Sequence, residues 1–287
     1  MSGTLFLCAT PIGNRGDITE RVKETLSAAD LIAAEDTRHS RGLLEHYGIS
    51  KPLTSYHEHN KYEKAEELLG LLLEGKNIAL ITDAGTPAIS DPGEVLVRRC
   101  HEAGVPVTSL PGPCALITAL SLSGFPARRF VFEGFLPQET KERKAVLASL
   151  AGERRTIILY EAPHRLVKTL NQLQETLGSR RICICRELTK IHEEAVWTTL
   201  PEAVRFWTEN EPRGEYVLVL EGLSEEEAAA EDAARWSGIS LTAHLQQYLD
   251  EGLDKKEAMK RMAEDRRMSR REIYQGLLEE EKEIIRK

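Results

Sequence analysis

The 287-residue chain has no apolar run near the roughly 18 residues that a membrane-spanning helix requires, so no insertion into a membrane is expected. Its five cysteines, Cys8, Cys100, Cys114, Cys183 and Cys185, are odd in number and form no C-x-x-C pair, which argues against a disulfide framework. Buried free thiols in a reducing compartment are the expectation. The segment Met1–Cys8 carries no positive charge and runs straight into a strand pattern, so no signal peptide is expected and a cytoplasmic location is. There is no H-E-x-x-H. The nearest approach to a metal cluster, His57-Glu58-His59, offers two imidazoles with no third ligand in view, and no metal is expected. Neither G-x-G-x-x-G nor Gly-Lys-Ser/Thr occurs, which removes the dinucleotide fingerprint and the P-loop.

What is present is ordinary in bulk and uneven in detail. With 41% hydrophobic and 29% charged residues, the chain suits about two globular domains. A net charge of −8 opposes unselective attraction to nucleic acid. Yet residues 224–234 hold Glu225, Glu226, Glu227, Glu231 and Asp232 without a base, whereas residues 253–273 hold eight bases against five acids. The pattern predicts an acidic linker over 224–238 and a locally basic helical tail over 239–287.

Short apolar strands alternate with amphipathic helices, the signature of βαβ units. Strands are predicted at Leu5–Ala9, Leu31–Ala34, Ile78–Thr82 and Val105–Leu110, and helices near Ile18–Ala29, Ser40–Tyr47, Lys61–Glu74, Glu94–Ala103 and Pro113–Leu122. Ser123-Gly124-Phe125-Pro126 punctuates the chain, so an N-terminal α/β domain is placed at 1–122 and a second at 126–223. The second is predicted from strands Phe130–Phe135, Thr156–Tyr160, Arg181–Arg186, Trp197–Leu200 and Tyr216–Glu221. Its helices are expected near Lys141–Leu150, His164–Leu177 and Glu202–Glu209. In the tail, Ala258, Met259, Met262 and Ala263 form one apolar face, read as a small core. Ser269-Arg270-Arg271-Glu272 reads as a capping box whose two arginines oppose the helix dipole, a placement that suits a docked phosphate.

Asp83–Gly93 is long for a strand-to-helix crossover. Gly85 and Gly93 allow close backbone approach and Pro87 and Pro92 stiffen it, which makes a preshaped cradle. Asp83 and Asp91 would repel a polyphosphate, so a positively charged nucleoside fits better. Three further loops stand at predicted carboxyl ends of strands: Thr10-Pro11-Ile12-Gly13-Asn14, Glu35-Asp36-Thr37-Arg38 and Leu110-Pro111-Gly112-Pro113-Cys114-Ala115. In an open α/β sheet, such loops line one crevice.

In this order, and with Gly134–Pro137, Tyr160–Arg165, Arg186–Lys190 and Gly214–Val219, these motifs resemble the tetrapyrrole-methylase superfamily of S-adenosylmethionine enzymes over essentially the whole chain. Within that superfamily the similarity is greatest to enzymes that methylate a cytidine 2′-oxygen in 16S ribosomal RNA. The resemblance implies two tandem α/β domains of the class III methyltransferase type, a homodimer, and S-adenosylmethionine between the domains. Its methionine end would lie near Pro11, near Asp83, Ala84, Gly85, Thr86, Pro87, Ile89 and Ser90, and near Pro111, Gly112, Cys114 and Ala115. Its adenosine end would lie near Leu136, Tyr160, Leu188 and Tyr216. Cys114 stands where the family commonly has serine, which puts a side-chain contact from that position in question.

A ribose hydroxyl is a weak nucleophile and calls for a general base. Glu35, Asp36, Arg38, Glu187, Lys190 and His192 are the candidates for the catalytic machinery. For Asp36 the structural alternative is a helix cap or an ion pair with Arg38, and for Lys190 a solvated strand end. Asn14, Arg15, Arg38, Arg165, Arg270 and Arg271 are candidate contacts to RNA within the small ribosomal subunit. Two other readings use the same cradle. A corrin or porphyrin C-methyltransferase would usually show Gly-Gly-Asp-Pro where this chain has Ala84-Gly85-Thr86-Pro87, and a nucleoside-binding regulatory module would need no second substrate surface.

Overall fold

The structure, a computed structural model, describes residues 1–226, 236 and 238–286. Most of the expected acidic linker, including Glu227, Glu231 and Asp232, lies outside the described residues. The chain divides into two compact units, Met1–Glu221 and Gly222–Lys287.

The first unit contains two five-stranded sheets. In the N-terminal sheet, β1 (Leu5–Cys8), β2 (Leu31–Ala34), β3 (Leu53–Ser55), β4 (Ile78–Ile81) and β5 (Val107–Leu110) run parallel in the order β3-β2-β4-β1-β5. Helices cover both faces, so the central strand β4 is buried along its whole length, as its unbroken apolar run requires. One layer of core gathers Leu5, Leu68, Leu72, Ile78, Leu80 and Leu96. The opposite layer gathers Val22, Leu26, Ile32, Ala79 and Ile81.

The second sheet corrects the simple βαβ expectation. Its strands, β6 (Phe130–Phe135), β7 (Thr156–Glu161), β8 (Arg181–Arg186), β9 (Glu194–Thr199) and β10 (Tyr216–Leu220), lie in the order β6-β7-β10-β8-β9. Only β6 and β7 are parallel; the other pairs are antiparallel. The strand expected at Trp197–Leu200 begins earlier, because Glu194 pairs with Arg186 across the β8–β9 hairpin. Leu200 instead opens a helix, where Thr199 and Glu202 make a reciprocal capping box. The helix α5 (Ala115–Ser123) precedes the Gly124–Pro126 break, yet it packs on the second sheet: Leu116, Ala119 and Leu120 cluster with Ile158, Cys183, Cys185 and Val219.

Among its described residues the second unit has the helices Leu241–Asp250, Lys255–Asp265 and Arg270–Arg286. Ala258 and Met262 are fully buried, and Met262 packs with Leu241, Ala263, Ile273 and Leu277. The Ser269 hydroxyl accepts from the Glu272 amide at 3.2 Å, and the Glu272 carboxylate accepts from the Ser269 amide at 2.7 Å. Arg270 and Arg271 are exposed in the first turn that follows.

Candidate functional site between the two sheets

Strand direction brings one set of loop ends together. The carboxyl ends of β1, β2, β4 and β5 face those of β6, β7 and β8, and antiparallel β10 presents its amino end at the same side. A cleft of about 500 Å³ lies there, large enough for a nucleoside-sized ligand. Ile12, Glu35 and the stretch Thr82–Gly85 contribute from the N-terminal sheet, with Thr86, Ile89, Ser90, Asp91, Cys114 and Ala115. Phe135, Tyr160, Glu161, Leu188, Glu215 and Tyr216 contribute from the second.

Hydrogen bonds fix the cradle. The Thr10 amide donates to the Gly85 carbonyl at 2.9 Å and the Gly85 amide returns a bond to the Thr10 carbonyl at 3.0 Å. The Thr10 hydroxyl donates to the Thr82 carbonyl at 3.0 Å, the Thr82 hydroxyl to Glu35 Oε2 at 2.8 Å, and the Thr86 hydroxyl to the Pro113 carbonyl at 3.0 Å. Gly85 has φ +90°, a region that side chains avoid. Ala88 and Ser90 are held at φ +68° and +65° without being glycine, so the surrounding contacts impose the loop shape. Opposite it, the Tyr160 hydroxyl accepts from the Leu116 amide at 3.1 Å while its ring meets Phe132 and Phe135 edge-on.

Four carboxylates line the cleft, from Glu35, Asp83, Asp91 and Glu215, with the Glu161 side chain buried behind its wall, and among the described residues no lysine or arginine does. The electrostatic consequence is visible at Asp91. Burial, then the like charge of Glu35, push its carboxyl from the ordinary 3.8 up to about 7; the Thr82 hydroxyl partly opposes this and Asp83 adds to it. A cation held in the cleft relieves that repulsion. The donor set, a shaped backbone cradle with surplus negative charge, fits a sulfonium nucleoside and rejects a polyphosphate.

The sequence-derived candidates distribute unevenly. Asp83, Ala84, Gly85, Thr86, Ile89, Ser90, Cys114, Ala115, Tyr160, Leu188 and Tyr216 all line the cleft. Pro11, Pro87, Pro111 and Gly112 do not; Gly112 instead lets the chain pass Ala9, where an added Cβ would stand 2.7 Å from the Ala9 Cβ. Leu136 is 2% exposed inside the second core. Strand alternation puts Phe135 on the cleft side instead, just after the irregularity between Phe132 and Gly134.

Of the catalytic candidates, Glu35 lines the cleft. Asp36 caps the helix Thr37–His46 by accepting from the Arg38 amide at 2.8 Å, and its carboxylate pairs with the exposed Arg38 side chain. Lys190 bridges Glu187 and Glu215, each at 2.9 Å, so Lys190 and Glu187 brace a residue of the rim. His192 is exposed. Of the RNA candidates, Asn14 accepts from the Gly16 amide and its own amide donates to the Thr189 hydroxyl, while Arg15 contacts His46. Arg165 donates to the Leu136 carbonyl at 2.7 Å.

Nine lining residues were not among the sequence-derived site candidates: the polar Thr82, Asp91, Glu161 and Glu215, and Ile12, Phe135, Ala162, Pro163 and Val217. Asp91 sat in the recognised loop, and Glu161 carried a readable signal as a carboxylate closing an apolar strand.

Because the folded protein holds Asp91 protonated where an unfolded chain would not, this group lowers stability as pH rises from about 4 through about 7. A bound cation favours the ionised form. Affinity for S-adenosylmethionine is therefore expected to rise as pH goes from about 6 to about 8, and titration calorimetry in buffers of different ionisation enthalpy should register proton release. Asp91→Asn should flatten both responses; an unchanged pH profile in that variant would remove Asp91 from the effect.

Cys114 sits at the N-cap of α5 without a side-chain cap bond. Cys114→Ser supplies the missing acceptor and is expected to raise unfolding stability by about 1 kcal/mol in urea titrations. A loss of stability would show that the thiol packs in a way a hydroxyl cannot.

The model of the tetrapyrrole (corrin/porphyrin) methylases matches residues 4–204. The chain is 50% identical over 278 residues to the ribosomal RNA small subunit methyltransferase I of Synechocystis sp., covering 96% of this chain and 98% of that one. It is 45% identical over 272 residues to the protein of the same name from Bacillus subtilis, covering 95% and 93%. Among solved structures, uroporphyrin-III-C-methyltransferase from Thermus thermophilus superposes with a TM-score of 0.55 at 20% identity, covering 76% of this chain and 94% of that one. That likeness speaks for the fold.

Proposed function

Because the chain belongs to the tetrapyrrole methylase family, in the branch of ribosomal RNA small subunit methyltransferase I, we propose that it methylates a cytidine 2′-oxygen of 16S ribosomal RNA, with S-adenosylmethionine as donor. The observation that carries the reading is the cleft itself, where four carboxylates and a strained backbone cradle converge and, among the described residues, no lysine or arginine lines the space.

When bound, S-adenosylmethionine supplies an electrophilic methyl group on a positively charged sulfur. The transfer removes charge, so alignment of the ribose oxygen with the methyl and sulfur matters more than stabilising new charge. Thr10, Gly85 and Thr86 fix the loop that would set this alignment. Glu35 is the general base in this reading, since it lines the cleft and the Thr82 hydroxyl holds its carboxylate in place at 2.8 Å. Phe135, Tyr160 and Leu188 form an apolar side wall suited to a nucleoside and able to exclude water.

The homodimer and the cytoplasmic location belong to the same reading. Ile117 and Leu122 on α5 and Trp197 on β9 are large apolar side chains about half exposed, which supports a covered face. Five free cysteines support a reducing compartment.

The proposal is tested by incubating the protein with methyl-labelled S-adenosylmethionine and either small ribosomal subunits or uroporphyrinogen. Label in the RNA is expected. Label in the pigment would make it a tetrapyrrole enzyme, and label in neither would leave a binding module.

The helical tail is a candidate RNA contact in this scheme. Replacing Arg270 and Arg271 together by glutamate places acids at a helix N-terminus, which the dipole favours, so thermal stability should hold or rise. RNA affinity should fall, its log–log salt slope becoming shallower by about 0.7 per lost phosphate contact, while S-adenosylmethionine affinity stays constant. Coincident salt curves for the two proteins would assign this helix a purely structural part.

A further inference from the structure

The carboxylate-lined cleft admits a ribose but repels the phosphates on either side of it. A strand bound there needs cations nearby. A second cavity, of about 250 Å³, provides them: Gln138 and Arg143 line it together with His164, Arg165, Lys168 and Gln172 of α7 (Pro163–Leu177). No carboxylate lines it among the described residues.

The two cavities share the first turn of α7, where Pro163 lines the cleft and His164, the next residue, lines the basic cavity. Glu161 divides them. The residue borders the cleft, and its buried carboxylate accepts from the Thr169 hydroxyl and faces Arg165 Nε at 3.4 Å.

The basic cavity holds unfinished hydrogen bonding. Arg143 is 7% exposed, its Nη1 donates to the Pro137 and Gln138 carbonyls at 3.1 and 2.8 Å, and its buried Nε has no partner. Such a donor inside a protein costs free energy until an acceptor meets it. Gln172 Oε1, on the same wall, is a buried acceptor without a donor. The fifteen-residue helix α7 has Ala162 as its N-cap with no side-chain cap; Pro163 carries no N–H and the Arg165 amide donates to the Ala162 carbonyl at 3.0 Å, which leaves the His164 N–H for an anion.

Donors with positive charge and one neutral acceptor together match neither a bare anion nor a peptide. They match a sugar–phosphate unit. We propose that this cavity binds a backbone phosphate and the adjoining ribose hydroxyl of the RNA substrate, with Arg143, Lys168 and the α7 amino end on the phosphate and Gln172 on the hydroxyl. The inference rests on the RNA-methyltransferase reading and adds to it a strand-binding subsite beside the donor cleft.

Two variants of the full chain test it, each checked for folding by circular dichroism. Lys168→Glu, at an exposed position, is expected to weaken binding of a small-subunit RNA fragment about tenfold and to reduce the log–log salt slope by about 1, equally for RNA and for its DNA copy. Gln172→Leu removes the side-chain amide without changing charge, so it should narrow the preference for RNA over DNA while leaving the salt slope alone. S-adenosylmethionine affinity should be constant throughout. If the wild type transfers no methyl to RNA, the functional reading fails. If it does so while both variants bind RNA and DNA as the wild type does, this cavity is no subsite.

Discussion

Gly85→Val is expected to abolish high-affinity binding of S-adenosylmethionine in a protein that remains folded. Residue 85 holds φ +90° and makes both hydrogen bonds of an isolated bridge to Thr10. A β-branched residue is an outlier there, and a left-handed backbone costs an ordinary L-residue roughly 1–2 kcal/mol. An added Cβ would meet Ile12 Cγ2 at 3.4 Å, an ordinary contact, so the strain lies in the backbone. The loop relieves this by turning, which breaks the bridge and moves Ala84 and Thr86. Affinity should fall at least about tenfold, the effect of 1.4 kcal/mol, in calorimetric titration. Far-UV circular dichroism should not change. Wild-type affinity in the folded variant would detach the Asp83–Gly93 loop from the site.

Glu161→Ala is expected to be the most destabilising single change at the site. The Glu161 side chain has no exposed surface, pairs with Arg165, and accepts from the Ala162 amide at 2.9 Å and from the Thr169 hydroxyl. Removing it strands a partly buried guanidinium and orphans two donors. Breaking one member of such a pair costs about 3–5 kcal/mol, measurable as a lower urea midpoint. Glu161→Gln keeps an acceptor for one of the two neutral donors and should lose less. A change under about 1 kcal/mol for alanine would mean that water replaces the carboxylate, so that Glu161 does not hold the wall between the cavities.

The sequence showed the site better than the sheet that supports half of it. Asp83–Gly93 was readable because glycine and proline at a strand end have few other uses, and the Ser269–Glu272 box because capping is local chemistry. Strand direction leaves no such trace, so the antiparallel pairing of β7, β10, β8 and β9 could not be read from alternation. Strand β3 is three half-buried residues made a strand by pairing with β2, not by propensity. Leu136 and Phe135 show the limit of motif reading. A motif names a neighbourhood, whereas the pleat decides that Phe135 faces the cleft and Leu136 the core. Arg143 and Glu161 are charged residues almost wholly buried, and only the tertiary structure shows what each is held against.

The central claim is that this cleft delivers a methyl group to one ribose of small-subunit RNA. Mass mapping of 16S ribosomal RNA from a strain lacking the gene, complemented with the wild type or with Gly85→Val, tests it most directly. The account predicts that one cytidine 2′-O-methyl is missing without the gene, restored by the wild type and not restored by Gly85→Val. A methyl that persists without the gene, or that Gly85→Val restores in full, would contradict it.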